Sequence, residues 1–140
     1  MSTISVTAAK VAAVWPIKSE IYSFQAASTI TAGQGVYLLS TGTVAPADAN
    51  AAGEQQFRGI ALTGGGAGQA IDVLVRGAVY GYDLSGLNYD ALVYVSDTVG
   101  ALDTANGTLA VNVGRVMPIN DTGTLTKVLY VQADWLRTWS

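Results

Sequence analysis

The stretch 62–77, LTGGGAGQAIDVLVRG, decides how the rest of the chain is read. Four of the five residues from Gly64 to Gly68 are glycine, and an apolar run comes next. A phosphate-binding loop needs Gly-x-x-x-x-Gly-Lys-Ser/Thr ahead of a helix, with the lysine reaching the phosphates. Here Gln69 and Ala70 succeed the glycines. A dinucleotide fingerprint also needs a helix after its glycines, because the helix N-terminus holds the pyrophosphate. In this chain the glycines lead instead into AIDVLV (70–75), which alternates and is rich in β-branched residues. That pattern belongs to a strand. Both nucleotide readings fail on context, and the glycines predict a strand-to-strand turn.

Beyond this stretch the same grammar recurs. From about Ser28 short apolar runs alternate with clusters of Gly, Asn, Asp, Ser and Thr. The runs are GVYLLS (35–40), RGIALT (58–63), AIDVLVRGAVYGY (70–82), ALVYVS (91–96), AVNVGRVMPI (110–119) and KVLYVQA (127–133). The residues between them tolerate positive φ and form turns. Strands of this composition and spacing predict an all-β domain, a sandwich or small barrel, over 28–140. The segment APADANAAGEQQ (45–56) reads as a loop with room for one helical turn. Tyr37 and Tyr94, Gly59 and Gly114, and Val75 and Val131 keep a nearly constant spacing. Two similar β units, about 35–75 and 91–131, would produce it. Chance likeness between two β-rich halves would also produce it.

Residues 1–27 differ in character. They are poor in glycine, and Pro16 argues against one continuous helix. They are expected to form an extended arm that docks on a neighbouring subunit. Val14, Trp15, Ile17, Tyr22 and Phe24 are its candidate contact residues. The tail ADWLRTWS (133–140) holds Trp135 and Trp139, which are too large and apolar to be free in water. They are candidate contacts too, on the chain's own barrel or on a neighbour.

Composition excludes several function classes. The chain has 140 residues, enough for one domain with a real core. It has no cysteine and no histidine, so thiolate metal sites, Cys nucleophiles and Ser–His–Asp triads cannot be built from it. Seven Lys and Arg are scattered without a cluster, and the net charge is −3. Nucleic-acid binding needs a dense basic patch, so it is not expected. No run approaches the ~18 apolar residues of a membrane span, and no signal peptide is read at the N-terminus. Hydrophobic residues make up 50% and charged ones 12%. So low a charge content suggests apolar surface that ends against another chain.

Other candidate sites are weak. The aspartates lie singly in turns and strand ends, where Asp is ordinary. SDTVGALDTANGT (96–108) lacks the residue order and closing Glu of a calcium loop. Tyr80, Tyr82 and Tyr89 lie close in sequence, and exposed tyrosines suit sugar or protein binding. Tyrosines also pack well on pleated surfaces. No cofactor, metal or catalytic residue is expected, and the chain is read as a non-enzyme.

The order of ITAGQGVYLLSTGTVAPA, RGIALTGGGAGQAIDVLVRGAVYG, YDALVYVSDTVGALDT, VGRVMPI and a final VLYV resembles the capsid cement, or head decoration, proteins of tailed bacteriophages. The likeness covers roughly Thr29 to Val131 and is carried by turn grammar, not by catalytic signatures. It implies a small β-barrel or β-tulip domain that binds the outer surface of the capsid as a homotrimer. The implied partners are the major capsid protein and neighbouring cement subunits, and the implied role is to stabilise the shell. The alternative is a phage tail or surface β module that grips carbohydrate through its Tyr and Trp residues.

Overall fold

The computed structural model describes residues 2–140. Its strands are β1 (Ala12–Ala13), β2 (Glu20–Gln25), β3 (Gly35–Leu38), β4 (Val44–Pro46), β5 (Phe57–Ala61), β6 (Ala70–Tyr80), β7 (Leu92–Val95), β8 (Leu102–Asp103), β9 (Asn112–Asp121) and β10 (Thr124–Gln132). Short 3-10 turns at Ala8–Lys10 and Pro16–Lys18 precede β1 and β2. The named strands pair antiparallel in one sheet that curls into a half-barrel. The path runs β4-β3-β5-β6-β10-β9-β7-β8, with β1 and β2 added along β6. The all-β, barrel-like class read from the turn grammar is the class observed.

The run after the glycines, β6, is the spine. Ile71 and Val73 enter one buried cluster with Val36, Val44 and Ala61. Leu74 and Val79 enter the larger one with Phe57, Ile60, Leu102 and Leu129. Asp72 and Arg76 stay exposed, so β6 keeps part of the alternation, while Val73, Leu74 and Val75 are buried in succession. Along one edge β6 pairs first with β5 (Leu74 to Ile60) and then with β10 (Gly77 to Val131). Gly77 sits near this change of partner with φ 141°, and a Cβ there would meet Ser19 Oγ at 2.5 Å. A side chain is excluded by both conformation and space.

The two halves of the path pair in matching ways. Val36 lies opposite Gly59, and Val93 lies opposite Gly114. In each half the register slips at the next residue, Tyr37 or Tyr94. Tyr37 then faces Ala45 in β4, as Tyr94 faces Asp103 in β8. Both glycines let neighbouring backbones approach closely. A Cβ on Gly59 would lie 2.8 Å from the Leu74 carbonyl oxygen, and one on Gly114 would collide with that of Tyr130.

The glycine loop is a turn stitched to the domain. Gly65 exchanges two backbone hydrogen bonds with Ile30, at 2.8 and 2.9 Å. The Gly66 N–H donates to Gln69 Oε1 at 2.7 Å, and the Gly68 N–H donates to the Ala26 carbonyl at 2.8 Å. The 45–56 segment starts in β4 and continues as hydrogen-bonded turns, without the helical turn it had room for.

Residues 2–27, expected to reach a neighbouring subunit, are laid along the chain's own sheet. At their start the Ile4 N–H donates to the Leu102 carbonyl at 2.9 Å, and the Thr104 N–H to the Ser2 carbonyl at 3.0 Å. Next, β1 and β2 run along β6 from Tyr80 back to Ala70. At their end the Ala27 N–H donates to the Val44 carbonyl at 2.8 Å. Ile4 and Val11 are buried in the main core. The physical reason is that β8 and β4 end the sheet path and would otherwise expose unpaired edges. The segment caps both.

Candidate docking face

β2 (EIYSFQ) is a partly covered strand in which Ile21 and Phe24 are half-buried and the other four residues are exposed. Ile21 packs against the main core, while Tyr22 is 53% exposed. Its register runs from Glu20 opposite Arg76 to Gln25 opposite Ala70. This pairing uses one edge. Among the described residues no strand lies on the other. Edge strands are protected by charged side chains, proline, a β-bulge or a covering element. In β2 such features stop at Glu20, where the register slips, and Ile21–Gln25 holds no charge and no proline.

Beside β2 lies an open groove of about 710 Å³, lined among others by Glu20, Tyr22, Phe24, Val75, Trp135 and Leu136. Phe24 stacks on Trp135, with ring centroids 5.9 Å apart and planes at 19°. Trp135 is fixed by its Nε1–H, which donates to the Arg58 carbonyl at 2.9 Å. The Arg58 guanidinium lies 6.0 Å from the same ring, and burial lowers its pKa against the raising effect of Asp134. Leu136 is 99% exposed. Glu20 and Arg76 form a 3.9 Å ion pair with both side chains about half exposed, so it adds little stability. The groove is therefore apolar, aromatic and close to neutral. Just before β2, the Pro16–Lys18 turn holds Ile17 fully in solvent and leaves Trp15 40% exposed.

The candidate contact residues from the two chain ends divide clearly. Tyr22, Phe24 and Trp135 meet in the groove. Trp15 and Ile17 project from the turn that leads into β2. Val14 is half-buried, with its N–H bonded to the Ala78 carbonyl at 2.9 Å. Trp139 is not on this face. Its ring is packed into its own core, so it offers nothing to a neighbour. Leu136 and Val75 were not among the contact residues singled out by sequence. Leu136 stands between the two tail tryptophans, and that position was the available signal.

The remaining polar groups serve the fold. Asp103 is buried and accepts from the Ser2 N–H at 2.9 Å, the Ala105 N–H at 3.2 Å and the Ser96 hydroxyl at 3.2 Å. Asp97 accepts from the Thr108 N–H and hydroxyl, both at 2.8 Å. Ser85 donates to Asp83 from its hydroxyl and its N–H, which holds that carboxyl below the usual range. Tyr80 and Tyr89 are about 40% exposed, and the Lys127 ammonium lies 5.4 Å from the Tyr89 ring. The Tyr82 hydroxyl donates to the Gly33 carbonyl, and burial pushes its pKa well above the ordinary tyrosine value. Among the described residues no group of three Asp or Glu is placed to hold a metal, and no helix is long and apolar enough to cross a membrane.

Comparison of the chain with family models, curated protein sequences and solved structures finds no match. The likeness to capsid cement proteins therefore rests on the sequence motifs between Thr29 and Val131 alone.

Proposed function

We propose that this chain is a structural docking protein that acts through the β2 face, and more specifically a cement protein of a tailed-phage capsid. In this reading it is not an enzyme. It sits on the outer surface of the shell as a trimer, bridges major capsid subunits and resists internal pressure. The observation that carries the docking reading is the β2 face itself. A strand edge that no other strand covers lies beside an apolar groove, with Tyr22, Trp135 and Leu136 exposed around it. Such a surface fits another protein, because aromatic and aliphatic anchors set in a groove supply most of the energy in protein interfaces. The cement reading adds the motif order from Thr29 to Val131. The net charge of −3 suits an outer capsid surface better than one facing DNA.

The test is co-sedimentation with mature phage shells, together with sedimentation equilibrium of the free chain. Wild type is expected to pellet with shells and to form trimers in solution or on the lattice. Leu136→Asp places a charge on a fully exposed side chain, so folding is spared. It is expected to weaken shell binding at least about tenfold, the loss of one anchor of about 1.4 kcal/mol. Wild type that stays in the supernatant with every shell tried overturns the cement reading. A Leu136→Asp chain that binds like wild type removes the β2 face as the site.

A further inference from the structure

The residues after β10 cross the outside of the domain as a strap held at a few points. The Trp139 N–H donates to Gln56 Oε1 at 2.7 Å. Its carbonyl accepts from Gln56 Nε2 at 2.6 Å and Gln55 Nε2 at 3.1 Å. Arg58 donates to the Asp134 carbonyl at 3.3 Å and the Arg137 carbonyl at 3.2 Å. These contacts come from the side chains of Gln55, Gln56 and Arg58, and the Trp135 Nε1–H adds one to the Arg58 carbonyl at 2.9 Å. Residues 134–140 belong to no strand. One ring, Trp139, enters the main core at 7% exposure, with the Arg137 guanidinium 4.0 Å from it. Its indole N–H is buried, yet among the described residues it has no hydrogen-bond partner.

That combination marks a segment stable enough to close and easy to open. A buried donor without an acceptor carries the full cost of losing its water, and opening recovers it. The strap has no ladder of backbone pairs tying it to β6 and β10. Segments with few buried contacts open below the free energy of global unfolding. We propose that residues 134–140 form a latch, released as a unit while the barrel stays folded, and that its closure assembles the docking groove. Trp135 and Leu136 belong to the latch and form one side of the groove. Phe24 loses its stacking partner when the latch leaves. The regulatory half of this proposal rests on the docking reading of the β2 face. The opening itself does not.

The experiment is native-state hydrogen exchange of the full chain by ¹⁵N NMR in rising sub-denaturing urea. The reporter is the Trp139 indole N–H, which is shielded by burial alone. It is expected to exchange at least about tenfold faster than the slowest amides of β6 and β10, with a much weaker urea dependence, as a local opening requires. Gly114→Ala strains β9 and β10 whether the latch is open or closed. It is expected to speed the slow β6 and β10 amides at least about tenfold and leave indole exchange unchanged. Exchange of the indole at the rate and urea slope of those amides overturns the latch. So does a Gly114→Ala variant that accelerates the indole and the slow amides alike. The measurement needs no partner, so its failure leaves the docking reading standing, and failure to bind shells leaves the latch standing.

Discussion

Gly114→Ala tests the close approach of backbones at the centre of the second half of the sheet. Gly114 lies in β9 with Val93 on one side and Val131 on the other. A Cβ there would overlap the Tyr130 carbonyl oxygen, and would lie 2.8 Å from its carbonyl carbon and 3.1 Å from Val131 Cα. These are backbone atoms, so no rotamer change relieves the overlap. β9 and β10 must part, which stretches ladder hydrogen bonds near the substitution. Overpacking of a core costs about 1–3 kcal/mol, and one or two weakened hydrogen bonds add about 1 kcal/mol each. A total of about 3 kcal/mol lowers Tm by about 10 °C in a domain of this size. Gly66→Ala is the control. Its Cβ would meet only Gln69 Oε1, at 3.7 Å, so its effect stays within about 0.5 kcal/mol. Urea titration by circular dichroism and a calorimetric melt read both variants. Melting of Gly114→Ala within about 2 °C of Gly66→Ala would refute the close approach.

The same structure sets two further outcomes. Tyr82 keeps its proton in the fold above the ordinary pKa of 10.0, whereas the unfolded chain releases it. Stability is therefore complete below about pH 10 and falls as pH rises beyond it. Tyr82→Phe is expected to flatten that alkaline loss in urea titrations at about pH 8 to 11, leaving a smaller slope from Tyr37, whose pKa is also raised by burial and then by Glu54. An unchanged slope would assign the loss to other groups. Deleting residues 1–24 takes Ile4 and Val11 out of the core and uncovers the β6 and β8 edges. The two side chains alone represent about 3–6 kcal/mol. The truncated chain is expected to lose its cooperative melt or to aggregate, and a wild-type Tm would mean the segment is a dispensable arm.

Much of the fold was legible because its signals are local. Alternation in AIDVLVRGAVY identifies β6, and the clusters TGGGAG and NDTGT identify turns. The glycine loop could be separated from a phosphate loop because β6, not a helix, comes after it. The destination of residues 2–27 was not legible. Pairing between residues 2–4 and 102–104 joins positions about a hundred residues apart, and no local pattern encodes such a partner. An apolar segment at a chain end looks the same whether it covers its own sheet or a neighbour's. The tail shows the same ambiguity on a smaller scale. Trp135 lines the groove and Trp139 fills the core, although both stand in one short tail. The difference lies in Gln55 and Gln56, which hold the Trp139 backbone.

The N-terminal segment also explains why one edge of the sheet is open. A curled sheet that does not close must protect its terminal strands, or they template aggregation. Here β8 is capped by residues 2–4, and β4 is capped by Ala26 and Ala27. Between these caps the chain has to travel along β6, and in doing so it becomes β2. The unpaired edge is thus moved from β6, where Ile71, Val73, Leu74, Val75, Ala78 and Val79 are buried, to the short and largely exposed β2. If that edge were only a by-product, lysine or proline on β2 and polar neighbours would be the cheap protection. Instead β2 carries Tyr22 and Phe24, and the strap brings Trp135 and Leu136 to them. In the docking reading, these apolar side chains, gathered from both chain ends beside an open strand edge, are the surface that a protein partner would cover.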